Sequence, residues 1–247
     1  MVTFLLKKSY QLNNLKEVPF KDLWGSKGVF TTMRVIGRPP RIILLKSHIE
    51  NLIKSTKKYG IRKKNLKKII EGLIGKNNIY KGPDNLLRIA LNKKLISISI
   101  RKRPKLKKNF KLLLFKYKRI EPTHKNLYYK KIIAKLSKVD SSGHDIALVS
   151  NKKILETGTS NLVFVKNNKI FSPKNNCYFG NTIKFLSKKV KIFLKDILIN
   201  DLNDYDEIIL IGSGKGVTSV SKIDELNWKR RKIICYNKLN KIYNSLS

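Results

Sequence analysis

The stretch "ILETGTSNLVFV", residues 154–165, reads as a short strand, a tight polar turn and a second strand. Its turn residues, Thr157-Gly158-Thr159-Ser160, are types that bend backbone or bond to it locally. Glu156 stands immediately before that turn, in a chain with only 16 acidic residues. What that carboxylate faces is therefore a chemical question as well as a structural one. Around it lie more strand-like runs, "DIALVS", "KKILE", "NLVFV" and "KIFS", followed by a helix expected over about 182–195 with Ile183, Leu186, Val190 and Phe193 turned inward. "DEIILIGSGKGVTSV" and a final helix near 236–245 close the chain. So many short strands predict a barrel-like β core with flanking helices.

The first half alternates differently. "GVFTTMRVI" (28–36) is β-rich, and "RPPRIILL" leads through a second short strand into "SHIENLIKSTKKYG". Ser47 with Glu50 three residues later has the form of a capping box. Ile49, Leu52, Ile53 and Thr56 make an inner stripe and Gly60 ends the helix. A second helix is expected over 63–75, then strands over 85–91, 95–102 and 110–116, and a helix over roughly 127–138. The polar passage "YKRIEPTHKN" (117–126) looks like a connection. The chain thus reads as α+β in two domains: an N-terminal α+β domain over 1–118, a connector over 119–126 and a C-terminal domain over 127–247.

Composition narrows the class. The 247 residues carry 55 Lys and Arg, a formal charge of +39, with basic clusters at 62–68, 101–108 and 229–232. Such clusters invite a nucleic-acid reading. However, the lysines are spread over the whole chain, which is also rich in Ile and Asn; all three have A/T-rich codons. Neither zinc-finger spacing nor an RNA-recognition signature accompanies them, so a basic nucleic-acid-binding protein is the lesser alternative. No apolar run approaches membrane-spanning length, and the N-terminus lacks a convincing secretory signal. Cys177 and Cys235 lie far apart with no C-x-x-C partner, as expected of reduced thiols in a cytoplasmic protein without a metal site.

Two loops carry anion-binding chemistry. Gly180-Asn181-Thr182 precedes an amphipathic segment, where free amides and a threonine hydroxyl suit a phosphate. Gly212-Ser213-Gly214 follows a strand; its glycines permit close backbone approach and its hydroxyl can donate. Neither loop has Walker or dinucleotide-fold spacing.

In order along the chain, E-x-x-x-x-N-hydrophobic-x-F, then G-x-T, then E-[IV]-x-L with a small-residue turn and V-x-x-V, resembles the class IV pyridoxal-phosphate aminotransferases. That family includes branched-chain and D-amino-acid aminotransferases and aminodeoxychorismate lyase. The matching residues are Glu156, Asn161, Leu162 and Phe164; Gly180 and Thr182; and Glu207, Leu210, Ser213, Val217 and Val220. "GVFTTMRV" and "LLKSHIENL" look like the family's G-x-F-[ET]-T-x-R-V and L-x-x-H-[IL]-x-R-L, so the likeness runs from about 25 to 225.

The resemblance implies the two-domain D-amino-acid-aminotransferase-like fold, with an N-terminal α/β sandwich. It also implies pyridoxal 5'-phosphate as cofactor and a homodimer. Its register selects Lys125, in "THKNLYY", as the Schiff-base lysine and base at the substrate Cα. Glu156 then pairs with the pyridine nitrogen, favouring its protonated form. Gly180, Asn181 and Thr182, with Gly212, Ser213 and Gly214, hold the phosphate. Arg88 and Arg34 are the candidate ligands of a substrate carboxylate, and His48 is structural. The implied reaction moves an amino group between an amino acid and a 2-oxo acid. The alternative is the lyase, which releases pyruvate from aminodeoxychorismate, because Phe30-Thr31-Thr32 is closer to its F-T-T than to F-E-T. Two departures stand out. The family's phosphate-contacting arginine falls on Asn51, and another arginine falls on Ile183. An amide does not replace a guanidinium's charge. Either Lys184 or Lys215 compensates, or phosphate affinity drops, down to the limit of an inactive homologue.

Overall fold

A computed structural model describes residues 3–77 and 82–246. The chain divides into two compact units. One extends to Arg103 and resumes over His124–Lys130; the other takes Pro104–Thr123 and the chain from Lys131 onward.

The first unit contains β1 (Phe4–Gln11), β2 (Glu17–Val18), β3 (Gly28–Ile36), β4 (Arg41–Ile42), α1 (Leu45–Lys58), α2 (Leu66–Lys76), β5 (Asp84–Asn92) and β6 (Leu95–Lys102). Its strands form one antiparallel sheet in the order β2-β1-β6-β5-β3-β4. Strand alternation gives the sheet two chemically distinct faces. Val29, Met33 and Val35, Leu87, Ile89 and Leu91, and Ile96, Ile98 and Ile100 join Ile49 and Leu52 of α1 and Ile70, Leu73 and Ile74 of α2 in a single core. Thr32, Arg34, Arg88, Ser97, Ser99 and Arg101 alternate with them on the opposite face.

The expected capping box does not form. Leu44 takes a left-handed conformation (φ 54°) and starts α1 at Leu45 with no side-chain cap, leaving Ser47 inside the first turn rather than before it. Gly60 does end the helix, with φ 65° and its amide bonded to the Lys57 carbonyl. Similarly α2 starts at Leu66 after left-handed Asn65, three residues later than expected.

The second unit contains β7 (Phe110–Lys116), α3 (Lys130–Leu136), β8 (His144–Ser150), β9 (Lys153–Thr157), β10 (Asn161–Lys166), β11 (Lys169–Pro173), α4 (Asn181–Ser187), β12 (Ile192–Lys195), β13 (Ile197–Leu198), β14 (Glu207–Gly212), β15 (Gly216–Ile223), β16 (Trp228–Lys229) and α5 (Ile234–Asn244), α3 beginning on the last residue of the first unit. The strands follow one hydrogen-bonded path, β12-β11-β10-β14-β15-β7-β8-β9-β13, with β16 beside β15. Both sheet faces are buried, which explains the unbroken apolar runs. Leu162, Phe164, Ile208 and Leu210 enter one core with Phe110, Ala147 and Trp228. Val163, Val165, Ile209 and Ile211 enter another, with Ile183 and Leu186 of α4 and Leu239 of α5.

Three expectations are corrected here. β7 is not the last strand of an N-terminal domain ending at 118, because it pairs in parallel with β8 and β15 of the second unit. Nor does a helix run from 182 to 195. α4 stops at Ser187, and Ile192–Lys195 instead forms β12, parallel to Ile170–Pro173 of β11, with Phe193 tilted against Phe171. The helix expected from 127 begins only at Lys130, since Asn126 bridges to Val29 of β3.

Candidate active site

In the second unit the Glu156 side chain is buried, and its partners are explicit. Arg119 Nε donates to Glu156 Oε1 at 2.7 Å, and the Tyr178 amide donates to Oε2 at 3.2 Å. Arg119 is itself buried, and its Nη2 donates to the Pro122 carbonyl. The pair is thus a desolvated ion pair at the end of β9, with hydrogen bonds on both partners. Burial pushes the nearby Cys177 thiol up to about 12, the Glu156 charge adding to the rise and Arg119 opposing it. Cys177 is therefore a neutral thiol at physiological pH.

The turn after Glu156 is fixed from beneath by Asp145, which is fully buried. Thr157 Oγ1 donates to Asp145 Oδ2 at 3.0 Å and Thr159 Oγ1 at 2.5 Å, while the Ser160 amide donates to Thr157 Oγ1 at 2.8 Å. Asn161, first residue of β10, then clamps the 178–180 loop. Its Nδ2 donates to the Tyr178 carbonyl at 2.5 Å, and its Oδ1 accepts the Gly180 amide at 3.0 Å. One three-residue loop therefore touches the Glu156 carboxylate at Tyr178 and opens α4 at Gly180.

Gly180 caps α4 in an extended conformation with no side-chain cap, and Asn181 and Thr182 are buried at its start. Thr182 Oγ1 lies 3.4 Å from Ser213 Oγ, so the two loops flagged in the sequence meet. Beside them Ser160 Oγ is buried with no hydrogen-bond partner among the described residues. It lies 2.7 Å from where a Cβ on Gly212 would stand, so a side chain there would force Ser160 to shift. Lys215, one candidate to replace the missing arginine, is buried; its ammonium donates to the Ser141 carbonyl at 3.0 Å and sits 4.7 Å from the Phe110 ring centroid.

The first unit holds the other candidates. Lys125 is not in a loose connector. Its carbonyl accepts the Phe30 amide at 3.1 Å, and the Leu127 amide donates to Gly28 at 3.0 Å, so 125–127 lie along β3. Lys125 Nζ stands 4.9 Å from the Phe30 ring centroid. His48 is buried, its Nδ1 2.7 Å from Thr31 Oγ1, and burial, helped by the Lys125 charge, lowers its pKa to about 3. Asn51, on α1, accepts the Ser55 hydroxyl at its carbonyl. Arg34 makes a two-pronged pair with Asp84, both contacts 2.8 Å. Arg88 donates to Asp22 at 3.0 Å and its guanidinium lies 4.5 Å from the Trp24 ring centroid.

Arg119, Asp145 and Ser160 were not singled out from sequence. Asp145 had a readable signal, an acid opening the apolar run "DIALVS". Arg119 had none among 55 basic residues.

The model of the family described as amino-transferase class IV matches residues 28–223, most of the chain. The chain belongs to the class IV aminotransferase family. Solved structures agree on the fold. A hypothetical aminotransferase from Mycobacterium tuberculosis in its PLP-bound form is 15% identical, with 98% of both chains covered and a TM-score of 0.76. A branched-chain aminotransferase from Thermoproteus uzoniensis, solved with norvaline, is 18% identical over 96% of this chain and 93% of its own, with a TM-score of 0.77. A putative 4-amino-4-deoxychorismate lyase from Legionella pneumophila is 19% identical over 90% and 91%, with a TM-score of 0.74. No curated protein matches the sequence. For this class IV chain, the family match spans Lys125, Glu156, Thr182 and Ser213 together.

Proposed function

We propose that this protein is a pyridoxal-phosphate-dependent aminotransferase acting on an amino acid and a 2-oxo acid. The observation that carries this reading is the arrangement in the second unit. A buried carboxylate anchored by Arg119 and Tyr178 shares the 178–180 loop with the Thr182 and Ser213 hydroxyls. This donor set fits the cofactor: the carboxylate suits a protonated pyridine nitrogen, and neutral hydroxyls with backbone amides suit a phosphate ester. The unpartnered Ser160 hydroxyl adds to that polar lining.

When bound, pyridoxal phosphate supplies an electron sink for charge developing at the substrate Cα. Glu156 pairs with the ring nitrogen, and Arg119 holds the carboxylate in one orientation. Thr182, Ser213 and the backbone at Gly180, Asn181, Gly212 and Gly214 hold the phosphate, which fixes the geometry for proton transfer. Lys125 carries the cofactor and moves the Cα proton. Asn51 occupies the place of a phosphate-contacting arginine and contributes an amide without charge. Arg88 and Arg34 are the candidate carboxylate ligands; Arg34 is bonded twice to Asp84 and Arg88 once to Asp22. The active form is a cytoplasmic homodimer. No helix among the described residues is long and apolar enough to cross a membrane.

The test is a visible absorption spectrum of the purified protein with added pyridoxal phosphate, beside Lys125→Ala. A band present in the wild type and lost in the variant supports the reading. A wild type with no band at saturating cofactor overturns it and leaves an inactive homologue. Pyruvate release from aminodeoxychorismate, without amino-group exchange, would assign the lyase.

A further inference from the structure

The start of α5 turns an apolar pair to solvent inside a run of cations. Ile234 is 61% exposed, more than any other large apolar side chain among the described residues, and Ile233 beside it is 44% exposed. Helical periodicity explains why α5 does not hide Ile234. Cys235, Leu239 and Tyr243 face the core, so Ile234, Lys238 and Lys241, at spacings of four and seven, share the outer face. From Asn227 to Ser247 the sequence holds Lys229, Arg230, Arg231, Lys232, Lys238 and Lys241 and no acid. Asp206, just before β14, binds Arg231 and Lys232. Among the described residues the other four have no carboxylate partner; Arg230 donates instead to Ser219 Oγ at 2.9 Å.

The surface this creates lies away from the candidate active site. Glu207, at the start of β14, accepts the Cys235 and Tyr236 amides, whereas Ser213 follows Gly212 at the other end of that strand. Five residue steps along a strand separate the two ends by about 17 Å. Because Glu207 already takes the first amides of α5, attraction for an anionic partner comes from side chains rather than from the helix end.

Charge and shape together select the partner. A second copy docked by two-fold symmetry would set these cations against their own kind. A nucleic acid matches the charge but gives the isoleucines no role, since unpaired bases stack on rings. Trp228 is buried and Tyr236 packs against the core, so neither ring is presented. An anionic lipid surface uses both features, its headgroups meeting the cations and its acyl boundary receiving the aliphatic side chains. We propose that Ile233 and Ile234, with the cations around them, dock this protein on the surface of a bilayer rich in anionic phospholipid. The contact is peripheral, and it does not depend on the aminotransferase reading.

The test is co-sedimentation of the full-length protein with vesicles of phosphatidylcholine alone or with roughly one-third phosphatidylserine. The phosphatidylserine vesicles are expected to bind at least about tenfold more tightly. Replacing both side chains, Ile233→Ser with Ile234→Ser, should weaken that binding by about tenfold or more, because the apolar contact is lost. The charge is untouched, so a chain held only by its net charge of +39 would bind as before. Unchanged binding by the folded double variant therefore overturns the proposal, as does equal binding of the two vesicle types by the wild type. Trp228 emission checks that the variant folds; if it does not, Ile234→Ser alone replaces it, with a loss of about threefold expected. Two further outcomes would overturn the proposal. A changed subunit number in the variant without lipid would make the patch an interface between copies. A DNA duplex bound more tightly than the vesicles, and weakened by the same substitutions, would assign it to nucleic acid.

Discussion

Replacing Arg119 by Met tests whether the Glu156 ion pair organises the site. The two charges approach to 2.7 Å, with side-chain exposures of 1% for Arg119 and 6% for Glu156. At an effective dielectric of about 20, their attraction is about 6 kcal/mol, and desolvating the two ions offsets much of it. The net worth of the pair is therefore small. The cost of breaking it is not, because Arg119→Met takes the Arg119 charge away from a buried carboxylate that has been desolvated to meet it. That situation costs about 3–5 kcal/mol. The chain's two tryptophans fall one in each unit, Trp24 and Trp228, and Trp228 is buried with its indole N–H on the Tyr205 carbonyl at 2.9 Å. In a Trp24→Phe background, Trp228 fluorescence reports the melting of the second unit alone. For a unit of this size the midpoint should fall by roughly 10–15 °C. Adding Glu156→Gln to Arg119→Met removes the stranded charge and should recover at least about half the loss. A single variant that melts within about 2 °C of its parent, or a double variant no better than the single, would refute the argument that uncompensated charge is what Arg119 prevents.

Three other outcomes follow. His48 is held neutral when folded, at a pKa near 3 against 6.5 when free, so the unfolded chain binds the extra proton and stability is lost as pH falls from 6.5 towards 3. The slope is about 1.4 kcal/mol per pH unit, so urea unfolding should show the stability advantage of wild type over His48→Gln shrinking by about 2 kcal/mol between pH 6.5 and 5. Gly212→Ala drives a methyl group to 2.7 Å from Ser160 Oγ and should cost about 1–3 kcal/mol, partly recovered by Ser160→Ala; no recovery would place the clash elsewhere. Asp145→Ala removes the acceptor of the Thr159 hydroxyl and the Ile146 amide, while the Thr157 hydroxyl keeps the Ser160 carbonyl, and should cost at least about 2 kcal/mol in urea unfolding monitored at Trp228.

The sequence was most legible where local chemistry decided the structure. β3, β6 and β7 lie where alternation and β-branched residues placed them, at Gly28–Ile36, Leu95–Lys102 and Phe110–Lys116. It was least legible where distant pairing decided. Ile183, Leu186, Val190 and Phe193 satisfy a helical period, but Ile192–Lys195 gains a ladder with β11 that no local pattern reveals. Ser47 and Glu50 had the spacing of a cap, but the Ile43 amide bonds back to the Arg34 carbonyl and Leu44 makes the turn first. The candidate site divides the same way. Thr182 and Ser213 could be named from their loops, and Glu156 from the turn it precedes. Arg119 could not, because nothing local separates a buried guanidinium from an exposed one.

The scarce acids explain how this fold supports polar loops. Among the described residues three carboxylates are buried, Asp145, Glu156 and Glu207, all in the second unit. Each lies near a strand end and binds donors outside its own ladder. Asp145 holds the threonine turn, and Glu156 holds the Tyr178 amide. Glu207 accepts the Cys235 and Tyr236 amides at 2.9 and 2.8 Å, capping α5 from the start of β14. Apolar packing alone leaves a polar turn many conformations, because its contacts are non-directional. A buried carboxylate does not, since its oxygens must be satisfied in fixed directions at high cost if they are not. The loops proposed to grip the cofactor are therefore shaped by charge set beneath them. The lysine-rich composition leaves that arrangement intact because, Lys215 apart, the lysines of the described residues lie outside the buried core, where like charges are screened by water and salt.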